Sequence, residues 1–222
     1  MRVLHHHWLS SGSRFCRLML AEKKLDALQK LEPWWERPRG FLAINPAGTV
    51  PVLVEDDGTV LAGVWPIAEY FEDTMPETSL LPGPPAARAE ARRLIDWFQG
   101  KFEREVVSPI LREKWLRRLT DDGVPSSTVI RTALSNLNAH LEYLNHLTER
   151  RKWLAGPKIS LADLHAAASL SVIDFMGDMH WDSVPEVKNW YARIKSRPSF
   201  RPLLADTVSG LTPPAHYTDL DF

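Results

Sequence analysis

Three consecutive histidines near the start of the chain are of a type that can bind metal ions. His5, His6 and His7 belong to a short, bounded run that predicts a β-strand. Successive side chains of a strand point to opposite faces of the sheet, so the three rings cannot converge on one ion. We therefore predict core and edge histidines here, and no metal site.

The single cysteine, Cys16, has no partner for an internal disulfide. A buried and unreactive thiol is the default interpretation for a lone cysteine on an apolar helix. The chain starts without a recognisable signal sequence, and we expect a cytoplasmic protein.

The composition excludes two classes of partner. A formal net charge of -1 leaves no basic excess, so nucleic acid is not an expected partner. No apolar stretch approaches the roughly 20 residues that a membrane-spanning helix needs. Even the most apolar segment, 161–176, is interrupted by Asp163, His165 and Ser169. The 222 residues suffice for a sizeable globular core, and we expect no cofactor and no direct membrane insertion.

In the first part of the chain, both strands and helices are predicted to position these residues. Residues 2–6 predict a strand, and Ser10 can cap the helix that follows. Residues 52–61 contain the turn dipeptide Asp57-Gly58 between two short apolar runs and predict a hairpin. With a further strand in between and a helix at the end, the order is β, α, β, β, β, α.

A proline-rich linker divides the chain. Residues 81–85 contain three prolines and one glycine, and the residues beyond them have a helical period throughout. The predicted domains are a mixed α/β domain over 1–80 and an all-helical domain over 86–206. A C-terminal tail follows over 207–222.

Two long amphipathic helices and one buried helix are predicted in the second domain. Apolar residues recur every fourth position in the first helix: Leu94, Phe98, Phe102, Val106 and Ile110. They recur in steps of four and three in the second: Ile130, Leu134, Leu137, Leu141 and Leu144. Pro109 predicts a bend one turn before it. Ser160 and Asp163 predict a capping box for an Ala- and Leu-rich helix at the centre of this domain.

Three motifs in this order resemble the glutathione-transferase superfamily. They are Asn45-Pro-Ala-Gly-Thr-Val-Pro-Val-Leu53, the helix Ile67-Ala-Glu-Tyr-Phe-Glu72 and the Ser160 capping box. The resemblance covers residues 1–204 and implies an α+β thioredoxin-like N-terminal domain plus an all-α C-terminal domain, the cytosolic glutathione-transferase fold. Within it, Val50-Pro51 resembles the cis-proline step whose first residue offers main-chain groups to the cysteinyl part of glutathione.

The resemblance also defines a cleft that has lost part of its chemistry. In serine-type members the catalytic hydroxyl precedes the first helix and favours the glutathione thiolate; here that position is Ser10. The family's Glu-Ser pair, which grips the γ-glutamyl end, is replaced by Gly63 and Val64. Each lost charge-assisted bond is worth about 1.5 to 3 kcal/mol, which weakens glutathione binding roughly 10²-fold or more for the pair. The predicted remnant cleft consists of Ser10, Val50, Pro51, Gly63 and Val64.

A non-catalytic branch of the superfamily matches the two ends of the chain. The start His5-His-His-Trp-Leu-Ser-Ser-Gly-Ser-Arg14, the Trp34-Trp35 pair and the ending over 213–222 resemble bacterial cell-division proteins that bind FtsZ. The resemblance covers the whole chain. It implies a non-enzymatic homodimer that binds the tubulin-like FtsZ polymer at the division site and alters filament curvature and bundling.

The resemblance assigns partner binding to a set of aromatic and charged residues: Trp34, Glu113, Arg131, Tyr217, Asp219, Asp221 and Phe222. Simpler interpretations stay open for each group. The tryptophan rings can pack on the domain interface, the basic helix end around Trp115 can be solvated, and the tail can lie as a strap on the core. Arg131 is rotated about 100° from the neighbouring apolar position and should face solvent.

Two functions of different classes remain open. One is the FtsZ-binding scaffold without catalysis. The other is a serine-type glutathione transferase that conjugates small electrophiles, with Ser10 as the thiolate stabiliser. A third interpretation is that a different thiol or a small acid occupies the remnant cleft, because fold alone does not decide function.

Overall fold

A four-stranded mixed sheet forms the first part of the chain, in a computed structural model that describes residues 1–220. The strands lie in the order β2-β1-β3-β4. Their bounds are β1 Val3–His6, β2 Leu28–Leu31, β3 Val52–Val54 and β4 Val60–Ala62. β1 pairs parallel with β2 and antiparallel with β3, and β3 and β4 form the predicted antiparallel hairpin.

Three helices accompany this sheet; the predicted strands and two of these helices are confirmed, and α2 lies where a loop was predicted. They are α1 Ser11–Glu22, α2 Arg39–Ile44 and α3 Val64–Thr74. α1 begins where predicted because the Ser10 hydroxyl accepts the Ser13 N–H at 3.1 Å. Short 3₁₀ turns lie at Trp34–Glu36 and Pro76–Thr78.

The rest of the described chain is helical. The segments are α4 Pro85–Asp96, a π-helical stretch Trp97–Val107, α5 Ser108–Leu111, a second π-helical stretch Arg112–Leu116, α6 Arg117–Thr120, α7 Ser127–Thr148, α8 Leu161–Phe175, α9 Pro185–Lys195 and α10 Arg201–Leu204. Two 3₁₀ turns lie at Trp181–Ser183 and Ala215–Tyr217. α4 begins at the last residue of the predicted linker; the division into domains stays a prediction.

Pro109 lies where the winding of the long helical segment changes. The π-helical stretch ends at Val107, and Pro109 is the second residue of α5. The carbonyl of Glu105, four residues earlier, loses the N–H that a proline lacks. It accepts the side-chain N–H of Asn136 at 3.2 Å instead. This replacement bond comes from α7 and ties the two long helices together.

α8 is buried along its whole length, as predicted, and packs against α1. The capping box is present: the Asp163 carboxylate accepts the Ser160 N–H at 3.0 Å. The other Asp163 oxygen accepts the Leu154 N–H at 2.8 Å and the Trp190 ring N–H at 3.0 Å. The first turn of α8 is thus fixed to the preceding loop and to α9.

The predicted apolar stripe of α7 is correct only for its second half. Leu137, Leu141 and Leu144 are buried, whereas Ile130 and Leu134 are half-buried. Polar His140 completes the buried face because its ring nitrogens have partners: it pairs with the Trp97 ring N–H at 3.0 Å and with Glu105 at 3.0 Å. Within residues 1–220, no helix is long and apolar enough to cross a bilayer.

Candidate functional site

All five predicted remnant residues line one cleft of about 260 Å³. Ser10 and the first turn of α1 form one wall, and Val50 and Pro51 lie beside it on the approach to β3. The Val50-Pro51 peptide is cis, as the resemblance implied. Gly63 and Val64, at the start of α3, close the same cleft. The structure therefore brings together the five residues to which the resemblance pointed.

The α3 side of the cleft has an apolar surface. Gly63 has φ +99°, a conformation that favours glycine, and its N–H donates to the Pro51 carbonyl at 2.9 Å. Val64 is buried, and a Cβ placed on Gly12 would lie 2.8 Å from its Cγ2 atom. Gly12 therefore permits the close approach of α3 to α1. A methyl group packs at this contact, where the family carries a hydroxyl.

Glu103 is a cleft residue that the sequence analysis missed. It projects from the π-helical stretch and accepts the Ser11 hydroxyl at 2.6 Å and the Ser108 hydroxyl at 2.8 Å. Burial raises the pKa of its carboxyl. An acidic group next to Ser10 opposes the thiolate that a serine-type transferase must stabilise. Its position one residue after Phe102, at the edge of the apolar stripe, was the available signal.

A second cleft of about 390 Å³ adjoins the first and is lined mainly by apolar side chains. Trp34 and Trp115 line it, and both belong to an aromatic cluster that also includes His7 and Trp35. The Trp34 and Trp35 ring centroids are 4.9 Å apart, and Trp35 and Trp115 are 5.1 Å apart. The tryptophan pair thus packs between the end of β1 and the long helical segment, and both rings are half-buried. Trp115 is buried rather than solvated.

Glu113, predicted to touch a partner, is instead buried at 3% exposure. Its carboxylate accepts the Ser126 main-chain N–H at 2.7 Å and pairs with Arg117 at 2.9 Å. The Ser126 bond is the main reason why the pKa of Glu113 lies below its usual value. Glu113 therefore fixes the start of α7. Arg131, further along α7, is exposed as predicted.

Tyr217, also predicted to touch a partner, is fully buried. Its hydroxyl accepts from Arg14 at 2.8 Å and donates to the Leu203 carbonyl at 3.1 Å. A phenol with two buried partners is an anchor for the tail, so this call is corrected. Asp219 is exposed. The remaining two tail calls, Asp221 and Phe222, lie outside the described residues.

The histidines of β1 have separate environments. His5 Nδ1 lies 2.7 Å from Glu32, whereas both ring nitrogens of His6 are buried without a hydrogen-bond partner among the described residues. Burial lowers the pKa of His6 to about 3 and that of His7 to about 4. Within residues 1–220 no group of three or more potential metal ligands forms. Cys16 is fully buried, and burial raises the pKa of its thiol.

Two known family models match this chain. The glutathione S-transferase N-terminal domain model matches residues 9–74, and the glutathione S-transferase C-terminal domain model matches residues 109–198. The chain belongs to the glutathione S-transferase family.

Its relatives include one protein named as a glutathione S-transferase and one named as FtsZ-localized. The chain is 46% identical to FtsZ-localized protein A of Caulobacter vibrioides, over 100% of this chain and 98% of that protein. The structure of FzlA from C. crescentus superposes with a TM-score of 0.97 at 46% identity, covering 100% of this chain and 99% of that one. A glutathione S-transferase from Rhodospirillum rubrum F11 superposes with a TM-score of 0.96 at 52% identity, with both chains covered completely.

Proposed function

We propose that this chain is a non-enzymatic division factor of the glutathione S-transferase fold that binds FtsZ polymers. It acts as a homodimer at the cytoplasmic division site and modulates filament curvature, bundling and constriction. The observation that carries the proposal is the 46% identity to a protein named FtsZ-localized protein A over the whole chain. That similarity includes the tail beyond residue 198, where the match to the C-terminal family model ends.

The chemistry of the cleft supports a role without catalysis. Gly63 and Val64 offer neither a carboxylate nor a hydroxyl to the γ-glutamyl end of glutathione. Glu103 adds an acidic group on the side where the thiolate would form. Both differences weaken glutathione binding, in the ground state and as thiolate.

We assign the contact with FtsZ to exposed side chains on α7 and on the tail, two segments that buried residues fix in place. Arg131 is exposed on α7, whose start Glu113 fixes, and Asp219 is exposed two residues after the Tyr217 anchor. Glu113 and Tyr217 therefore act on the partner indirectly, through the positions of Arg131 and Asp219. The half-buried Trp34 offers an aromatic edge to the same partner.

Co-sedimentation with FtsZ polymerised with GTP tests this assignment. The tail variant ends after Thr218, because truncation before Tyr217 would remove an anchor and destabilise the protein. We expect Arg131→Glu and the Thr218 truncation each to weaken pelleting about tenfold or more, as loss of a central interface group does. Arg150→Glu, another exposed arginine just after α7, is the matched control. Equal pelleting of all variants would place the contact elsewhere.

The homodimer has a separate test. Family members pair through the front domain of one subunit and the long helices of the other, and two equivalent sites can cross-link or bend a polymer. Sedimentation velocity should give a dimer at micromolar concentration. A monomer at that concentration would remove the bivalent mechanism.

A serine-type glutathione transferase is the second candidate. Ser10 lines the cleft, and a relative of 52% identity carries that name. This function requires retention on immobilised glutathione, conjugation of a generic electrophile and loss of rate in Ser10→Ala. Co-sedimentation with FtsZ that is unchanged by added glutathione would favour the scaffold function instead.

A further inference from the structure

The cleft also contains polar groups to which neither proposed function assigns a ligand. Gln99 and Glu103 lie one helical turn apart on the π-helical stretch, and His165 lies in the first half of α8. All three line the same 260 Å³ cleft. None of them occupies the positions of Gly63 and Val64, where the γ-glutamyl grip is missing.

Two of these groups have buried atoms without a partner. His165 is fully buried, and its Nε2 atom has no hydrogen-bond partner in the described chain; the same holds for Gln99 Oε1. A buried polar atom left without a hydrogen bond costs about 1 to 3 kcal/mol. Such atoms are rare and require an explanation. Two of them on the wall of one open cleft indicate a ligand with complementary donors.

The three groups offer acceptors. Burial lowers the pKa of His165 to about 4, so the ring is neutral near pH 7. Its Nδ1 atom lies 3.4 Å from the Ser169 hydroxyl, and its Nε2 atom has no partner among the described residues. The ring can place its proton on Nδ1, towards Ser169, and Nε2 is then an acceptor. Gln99 Oε1 is an acceptor. Burial raises the pKa of the Glu103 carboxyl, and a cation bound beside it would favour the ionised form, which only accepts.

We propose that this cleft binds a small primary ammonium compound through Gln99, Glu103 and His165. An ammonium group has three donors, one for each of these acceptors, and its charge complements the carboxylate. The short apolar body of the ligand packs against Val50, Pro51 and Val64. The cleft, of about 260 Å³, has room for a compact amine.

Isothermal titration of the full-length protein with n-butylammonium chloride tests the proposal. 1-Butanol has the same carbon chain with a single neutral donor, and tetramethylammonium has the charge without any donor. We expect n-butylammonium to bind, and the two analogues to bind at least about tenfold more weakly. Equal binding of 1-butanol, or no binding of n-butylammonium at millimolar concentration, would overturn the proposal.

A pair of matched variants locates the site. Glu103→Gln removes the charge but keeps the shape, and should weaken n-butylammonium binding about 10-fold to 100-fold. Glu105→Gln makes the same change two residues further along, at a carboxylate that pairs with Lys101 and His140, and should leave binding unchanged. Equal losses in both variants would contradict the assignment. If Glu103→Gln does not fold, Gln99→Met probes the same wall and should also weaken binding.

Discussion

Helix α1 borders two polar regions that differ in the partners of their polar groups. At its start, Ser10 and Ser11 face the cleft, where Gln99 and His165 carry unpartnered buried atoms. Within the next two turns, Arg14 and Arg17 are buried and bond across to α8 and the C-terminal residues.

The second region is a structural network. Arg14 donates to the Ser171 hydroxyl at 2.9 Å and to the Tyr217 hydroxyl at 2.8 Å. Arg17 pairs with both oxygens of Asp206, at 2.6 and 2.8 Å, and stacks over the Trp8 ring at 4.5 Å. Buried charges of this kind are stable only while paired. Changes in this network should therefore affect folding, whereas changes in the cleft should affect ligands and leave folding nearly unchanged.

The largest effect is expected from Arg17→Met. It leaves the buried Asp206 carboxylate without its bidentate arginine partner. The free energy of unfolding should therefore fall by about 3 to 5 kcal/mol. Urea unfolding monitored by circular dichroism measures this loss. Arg201→Met changes an exposed arginine on α10 and should stay within about 0.5 kcal/mol. Similar losses in both variants would argue against the network.

Acid sensitivity should depend on His6. Because its folded-state pKa is about 3 against an ordinary value of 6.5, the unfolded chain binds more protons between these pH values. Stability therefore falls as the pH decreases from 6.5 towards 3. His6→Leu removes this contribution. The free energy of unfolding of the variant minus that of the unchanged protein should therefore be about 2 kcal/mol larger at pH 5 than at pH 7.5.

Urea unfolding of His6→Leu at the two pH values checks this sign. The exposed His146, near the end of α7, provides the control substitution His146→Leu. A His6→Leu variant whose stability depends on pH as strongly as that of the unchanged protein would show that His6 is not the acid-sensitive group.

A smaller loss is expected from Tyr217→Phe. The variant keeps the ring against Phe175 but removes the hydroxyl shared by Arg14 and Leu203. A hydrogen bond to a charged group is worth about 1.5 kcal/mol or more, and unfolding should become easier by about that amount. Tyr70→Phe, at a half-buried tyrosine of α3, is the control. An unchanged midpoint in Tyr217→Phe would mean that the hydroxyl does not anchor the tail.

The smallest effect should come from the cleft itself. Val64→Ser restores one hydroxyl at the start of α3 and should strengthen glutathione binding by at most about tenfold, the value of one net hydrogen bond. Gly63→Glu is not a suitable second substitution, because the backbone φ angle of +99° at this position is strained for any residue with a side chain. Titration with glutathione measures the gain. A gain of several hundredfold would mean that the rest of the glutathione site is intact.

Local patterns in the sequence determined much of this structure. The Ser160 and Asp163 pair predicted a capping box, and Asp57-Gly58 predicted the hairpin. These features are recognisable because the chemistry that fixes them lies within a few neighbouring residues. The cis Val50-Pro51 peptide followed from the family resemblance, as did a set of five distant residues that line one cleft in the structure.

The tertiary structure alone decided which polar and aromatic residues are buried. Glu113 and Tyr217 look like surface groups in sequence, yet each meets donors or acceptors that lie 13 or more residues away. Arg14 and Arg17 likewise find Tyr217 and Asp206 only through folding. No local period encodes such pairings, because a buried charge is tolerated only where a distant partner compensates it.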